Sequence, residues 1–239
     1  MIQVENLSFF QNGKKILEDI SLKVEKGDFL AIIGPNGGGK TTLIKCLLGF
    51  IKPQKGKIYL WGKELPNFKD WHLIGYVPQR AGKDLNPMFP LTLREFLHLP
   101  SLLYKKNLDE NYLKELLEIF GLTELLERRI TSFSFGQLQR AYIARALVLK
   151  PEVLILDEPS VGLDFISQKN FYEILSNFHQ KGLTIILVTH ETWLLTKEVN
   201  KVACLNQRLY FHGAHEDFCI FSEKDLAGFY FHKIEHTHW

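Results

Sequence analysis

Three short apolar runs, Phe29-Leu-Ala-Ile-Ile33, Val153-Leu-Ile-Leu156 and Thr184-Ile-Ile-Leu-Val188, show no alternation with polar residues. A strand with one wet face alternates. A run that is apolar at every position reads as a strand covered on both faces, the condition of a parallel α/β sheet. Each run leads into a residue that carries chemistry: Gly34, Asp157 and, one residue past Thr189, His190. Open α/β sheets gather their ligand sites at the carboxyl ends of the strands, so the three runs predict one shared site.

The first of those ends is a phosphate-loop pattern. Gly34, Pro35, Asn36, Gly37, Gly38, Gly39, Lys40 and Thr41 satisfy glycine, four residues, then Gly-Lys-Ser/Thr. Glycines let backbone N–H groups turn inward around phosphate oxygens with no Cβ in the way. The helix expected to open at Thr42-Leu-Ile-Lys-Cys-Leu-Leu points its positive end at the same anion. Lys40 is placed to reach the β- and γ-phosphates, and the Thr41 hydroxyl to ligate Mg²⁺. Gly34 to Thr42 is thus the expected set for binding nucleotide phosphates.

Val153-Leu-Ile-Leu-Asp157-Glu158 reads as the second half of the site. A carboxylate ending a buried strand can hold Mg²⁺ or its water, the role expected of Asp157. Glu158 points differently and is placed to polarise a water for in-line attack on the γ-phosphate. Taken alone, Asp157-Glu158-Pro159 would equally well end a strand with solvated charges. Beside a phosphate loop the catalytic reading is favoured.

The remaining chain divides by pattern. Lys57-Ile-Tyr-Leu-Trp61, bounded by Gly56 and Gly62, and the first 30 residues read as antiparallel strands packed beside the main sheet. From about 92 to 149 the chain reads mainly helical: Leu113, Leu116, Leu117 and Phe120 follow i, i+3, i+4, i+7 spacing. Leu138, Tyr142 and Ala146 continue at i, i+4, i+8, and Pro151 closes the stretch. The fold class expected is α/β, a P-loop nucleotide-binding core with an antiparallel β subdomain and an inserted helical subdomain. The expected organisation is one domain over 1–239, with the insert at about 84–149 and a histidine-containing tail at about 215–239.

Composition excludes several function classes. With 29 basic and 27 acidic side chains the net charge is +2, which gives no whole-chain reason for binding nucleic acid or an anionic membrane. Three cysteines, Cys46, Cys204 and Cys219, are odd in number and lack metal-like spacing, so no disulfide framework is expected. The start lacks a basic stretch followed by an apolar one, and no run approaches the roughly 18 residues of a membrane span. The chain reads as soluble and cytoplasmic.

Further motifs follow in a fixed order. The phosphate loop, Gln79 within Ile74-Gly-Tyr-Val-Pro-Gln79, Phe133-Ser-Phe-Gly-Gln137, Asp157-Glu158, Ser160-Val-Gly-Leu-Asp164 and His190 succeed one another along the chain. The series resembles the nucleotide-binding subunit of an ATP-binding cassette transporter, over about residues 2 to 215. Its most specific element is Ser134 to Arg140 with its spacing to Asp157.

That resemblance implies that the nucleotide held by Gly34 to Thr42 is ATP, and it implies roles residue by residue. Gln79 would contact Mg²⁺ and the attacking water, and would sense a membrane partner through the loop after it. Ser134, Phe135, Gly136 and Gln137 would open a helix whose N-terminus meets the γ-phosphate bound by the other subunit of a homodimer, a sensible anion site for a helix start bearing serine. Asp164 would sit at the dimer seam, and His190 would hydrogen-bond the γ-phosphate. Glu158, His190 and Gln79 form the implied catalytic set, and Thr41, Gln79 and Asp157 the implied Mg²⁺ set. Two ATP molecules would be sandwiched between the subunits, and hydrolysis would reopen the sandwich.

The chain departs from the family in three places. Phe135 stands where glycine is usual, so its ring must find room away from the nucleotide. The usual adenine-stacking tyrosine aligns on Gln11, which leaves Phe10 as the nearest ring, although strand alternation turns neighbours to opposite sides. Glu191 follows the histidine where aspartate is usual.

With no membrane span, the transport path the resemblance implies lies in two separate membrane-spanning permease subunits, fed by an extracytoplasmic substrate-binding protein. The ATPase would then sit peripherally on the cytoplasmic face of the inner membrane. The permeases would dock near Gln79 and the insert, where Asn86-Pro-Met-Phe-Pro-Leu-Thr92 lies. Phe89-Pro-Leu-Thr92 and Leu205-Asn-Gln-Arg-Leu-Tyr-Phe-His-Gly213 are similar to the ATPases of zinc and manganese importers. Five of the nine histidines, His212, His215, His232, His236 and His238, fall in the last 28 residues. Neutral imidazoles are good zinc ligands, and His232, His236 and His238 are the candidate zinc-tail residues; an exposed tail without a metal role is the competing reading.

The expected function is ATP hydrolysis energising a binding-protein-dependent importer of zinc or another divalent metal. An importer of iron chelates or vitamin B12-like cargo is the alternative within the class. A soluble ATP-driven clamp in DNA repair or translation is the alternative outside it, but such proteins usually carry two cassettes or a long coiled-coil insert. No nucleic-acid partner is expected.

Overall fold

The computed structural model describes residues 1–79, 91–160, 162, 164–190 and 199–220. In chain order the strands are β1 (Ile2–Gln11), β2 (Lys14–Val24), β3 (Phe29–Ile33), β4 (Lys55–Leu60), β5 (Lys63–Glu64), β6 (Ile74–Val77), β7 (Val153–Asp157), β8 (Thr184–Thr189), β9 (Lys201–Asn206) and β10 (Arg208–Ala214). The helices are α1 (Lys40–Leu47), α2 (Leu93–Tyr104), α3 (Glu110–Ile119), α4 (Phe135–Leu147), α5 (Phe165–Gln180) and α6 (His215–Ile220). The described residues group into two compact units, Asp70–Leu183 and the segments on either side of it.

The flanking unit holds two sheets. One is antiparallel in the order β2-β1-β4-β5. The two-residue turns Asn12-Gly13 and Trp61-Gly62 join its neighbours, pairing Gln11 with Lys14 and Leu60 with Lys63. The second half of β2 alternates buried and exposed residues, as a sheet with one wet face requires. In the other sheet β3 lies between β8 and β9, parallel to both, and β10 closes antiparallel on β9. Every residue of β3 and β8 is buried, the state their unalternated apolar runs predict. Helix α1 buries Leu43, Ile44, Cys46 and Leu47.

The register of the parallel strands sets up the first half of the site. Ile33 pairs with Thr189 on one side and with Cys204 on the other. Gly34, His190 and Leu205, the next residue of each strand, therefore meet at one end of that sheet.

In the second unit β6 and β7 pair in parallel, Val77 beside Leu156, so both strands also end together. Helix α4 packs on β6 so closely that a Cβ on Gly75 would collide with the carbonyl of Ala146. Its buried face is Gln139, Ala141, Tyr142, Ile143, Ala144 and Leu147. This corrects the i, i+4, i+8 stripe read from sequence: Tyr142 is buried, but Leu138 and Ala146 are only half-buried. The physical reason is two-sided packing, because α4 is held by β6 and by α2. The Tyr142 ring meets Phe96 of α2 edge-on at 5.0 Å, and the Arg145 guanidinium lies 4.3 Å over Phe96. Helix α3 does bury Leu113, Leu116 and Leu117, with Phe120 beyond its end, on the single face its spacing predicts.

Candidate functional site

In the flanking unit the residues after β3 form a cradle. Gly34, Gly38, Gly39 and Lys40 are buried, while Asn36 and Gly37 stand exposed at the rim. The Lys40 ammonium folds back to donate to the carbonyls of Gly34 at 2.8 Å and Pro35 at 3.1 Å. A Cβ at Gly34 would run into the carbonyl of Leu205, and one at Gly38 would lie 3.0 Å from the same oxygen. The Gln207 N–H donates to the Gly38 carbonyl at 2.9 Å, tying the β9–β10 turn to the loop. The loop is thus backed by Leu205–Gln207, a support not foreseen from sequence. The signal available was the Leu205–Gly213 stretch, noted there only for its similarity to metal-importer ATPases.

Gly39 opens α1 with φ +95, and a Cβ there would sit 2.7 Å from the Leu17 side chain and 2.8 Å from the Ile16 carbonyl. A glycine-rich turn that runs into a helix start is the arrangement an anion cradle needs. Thr41 and Thr42 are half-buried on the first turn of α1, and His190 is exposed directly after β8.

In the second unit the parallel register places Gln79 and Glu158 side by side, two residues beyond the Val77–Leu156 pair. The Gln79 side-chain amide donates to the Glu158 carboxylate at 2.5 Å. Asp157 is fully buried, and Glu158 is half-buried with φ 49. That left-handed backbone costs a non-glycine residue roughly 1–2 kcal/mol. Burial, together with the charge of Asp157, pushes the Tyr76 hydroxyl up to about 12, so it stays a neutral phenol there.

The helix expected at Ser134 begins as foreseen. Ser134 caps α4 and accepts from the Gln137 N–H at 3.3 Å, while the Gln137 side-chain oxygen accepts from the Ser134 N–H at 3.0 Å. This reciprocal box fixes the first turn. The Phe135 ring, whose accommodation the sequence left open, lies against Gly162: a Cβ built on that glycine would come within 3.2 Å of it. Asp164 caps α5, accepting from the Ser167 N–H at 3.0 Å and its hydroxyl at 2.6 Å. Those two donors hold the Asp164 carboxyl below the usual carboxylate range.

Phe10 is half-buried in β1, where the register against β2 slips between Phe9 and Phe10. Strict alternation therefore fails at this point, and Phe9 and Phe10 are alike half-buried. His212 lies in β10, half-buried, and His215 is buried at the start of α6, so both belong to the folded unit. His232, His236, His238, Glu191 and the stretch Asn86–Pro90 lie outside the described residues. Cys46 and Cys204 are buried free thiols, pushed up to about 12 by burial. No helix among the described residues is long and apolar enough to cross a membrane.

Comparison with known proteins places these features in a family. The profile described as ABC transporter matches residues 17–161. The zinc uptake system ATP-binding protein ZurA of Listeria innocua is 40% identical, over 95% of this chain and 91% of its own length. The zinc import ATP-binding protein ZnuC of Buchnera aphidicola is 33% identical over 99% of this chain and 98% of its own. Among solved structures, an ATP-binding subunit of an ABC transporter superposes with a TM-score of 0.82 at 29% identity, covering 95% of this chain and 98% of that one. The chain belongs to the ABC transporter family, as one of its ATP-hydrolysing cassettes.

Proposed function

We propose that the chain energises an importer of zinc or a closely related divalent metal, that the cradle after β3 binds the phosphates of MgATP, and that the carboxylates Asp157 and Glu158 at the end of β7 serve its hydrolysis. The observation that carries the catalytic reading is the Gln79–Glu158 hydrogen bond, which holds a carboxylate ready for a water beside the fully buried Asp157. The cargo reading rests on the relatives, named for zinc at 33–40% identity over nearly the whole chain.

The residues present fit Mg²⁺. Among the described residues no group of three or more His, Cys, Asp or Glu side chains could enclose a metal. A hard cation that keeps its waters and takes nucleotide phosphates needs only one or two protein oxygens, and Thr41, Asp157 and Gln79 are the candidates to supply them. When bound, Mg²⁺ would supply positive charge that offsets the charge developing on the transferred phosphoryl group.

Lys40 exchanges its two carbonyl partners for phosphate oxygens. The loop N–H groups, together with the start of α1, hold the phosphates in line. Glu158 takes a proton from the attacking water as Gln79 orients that water, and His190 donates to the γ-phosphate. In a dimer, Ser134 and Gly136 of a second copy close over the same phosphate, with Asp164 at the seam. The cassette, one domain over 1–239 with its helical insert at about 84–149, works as a homodimer under two permease subunits. Its place is the cytoplasmic face of the inner membrane, and a substrate-binding protein supplies the far side.

The test is total zinc, manganese and iron in metal-limited cells lacking the native chain, complemented with it or with its Lys40→Ala variant. Zinc restored by the native chain alone supports the reading; metals that do not respond overturn the cargo.

A further inference from the structure

We propose that Phe135 is a positioning residue, which ties the N-terminus of α4 to Gly162 of its own subunit, four residues beyond Glu158. The inference rests on the ATPase reading above and adds a connection between its parts.

The contact is specific. Phe135 is the first residue of α4, and the Ser134–Gln137 box fixes the turn that carries it. The residue is 44% exposed, and its ring lies against Gly162. A Cβ on Gly162 would stand 3.2 Å and 3.6 Å from two ring carbons, and the backbone there has φ +87. Only glycine meets both conditions without strain.

The described residues on either side of Gly162, Ser160 and Asp164, are each anchored. The Ser160 carbonyl accepts from the buried Gln168 side chain at 3.2 Å, and Asp164 is held by Ser167. Two residues before Ser160 stands Glu158, itself in a left-handed backbone conformation. Phe135 therefore lies against a residue four positions beyond the catalytic carboxylate. A shift of the α4 N-terminus, as it engages a phosphate held by a second copy, is passed through the ring to Gly162.

A double-mutant cycle on the full chain tests this, with Phe135→Ala, Gly162→Ala and the pair, reading steady-state ATP hydrolysis. Phe135→Ala is expected to lower kcat about five- to tenfold, the range for residues in direct contact. The KM for ATP should stay within about twofold, and Phe135→Leu should recover part of the loss. Gly162→Ala should cost clearly less in the Phe135→Ala background, where its new methyl meets no ring. Costs that multiply independently, an unchanged kcat for Phe135→Ala, or a loss confined to KM would each overturn the inference. If Phe135→Ala does not fold, the cycle with Phe135→Leu decides it by the same criteria. An unsubstituted chain that fails to hydrolyse ATP would overturn the ATPase reading as well. Normal turnover with independent costs overturns this inference alone.

Discussion

Gln79 and Glu158 are joined by a 2.5 Å hydrogen bond from amide to carboxylate, and nothing in their own sequence neighbourhoods requires it. It follows from the β6–β7 register, which ends both strands at the same level. Gln79 thus holds one oxygen of the Glu158 carboxylate in place. Glu158→Gln keeps the shape but removes the base, so it should lose about 10²–10⁴-fold in turnover and accumulate as an ATP-bound dimer. Phosphate release, with size-exclusion chromatography in MgATP, checks both. Near-normal hydrolysis would remove Glu158 from the role of base.

The phosphate loop separates two kinds of damage. Lys40→Ala removes the ammonium but leaves the glycine packing in place, so ATP affinity should collapse while the fold survives. Gly39→Ala instead pushes a methyl into Leu17 and the Ile16 carbonyl from a left-handed backbone position. Overpacking and αL strain together should cost about 2–4 kcal/mol of stability, as well as nucleotide binding. Urea denaturation beside ATP titration distinguishes the two variants. A Gly39→Ala chain as stable as the native one would show that the loop relaxes freely.

Legibility in the sequence varied with the kind of burial. Strands β3, β7 and β8 could be read because full burial leaves an unbroken apolar run, and the phosphate loop because its chemistry is local. The face of α4 was misread because the helix packs on two sides, so no single stripe marks it. The Phe135–Gly162 and Gln79–Glu158 contacts depend on strand register and helix placement, and pattern along the chain does not encode either. The backing of Gly34 by Leu205 is of the same kind, since those residues lie far apart in sequence but one strand apart in space.

Glu18 supplies a pH dependence. Its carboxylate accepts from Lys15 at 2.7 Å and Arg208 at 2.8 Å, fastening β2 to the start of β10. These bonds, that of Arg208 first, lower its pKa from 4.5 to about 2. A pKa depressed in the fold contributes stability above the unfolded value and loses it as pH falls through the folded one. The Tm difference between native chain and Glu18→Gln should therefore be constant above about pH 5, shrink between about 4.5 and 2, and vanish below. A difference that stays constant down to pH 2 would show that the pair of bonds does not depend on charge.

Ser134 carries two jobs that one substitution can pull apart. Its oxygen accepts from the Gln137 N–H and so caps α4, which leaves its hydroxyl hydrogen to donate to a phosphate of a second copy's nucleotide. Ser134→Ala loses both, and the missing cap should cost about 1 kcal/mol, or about 2–4 °C in Tm for a chain of this size. Ser134→Asp keeps a good cap, since aspartate accepts from the same N–H and suits the positive helix end. It also places a negative charge against the phosphate, so Tm should hold while ATP-driven dimerisation and turnover fail. Thermal unfolding and hydrolysis measured side by side on the two variants separate the roles. If Ser134→Asp hydrolyses ATP at the native rate, the start of α4 does not face the nucleotide, and its serine serves the helix alone.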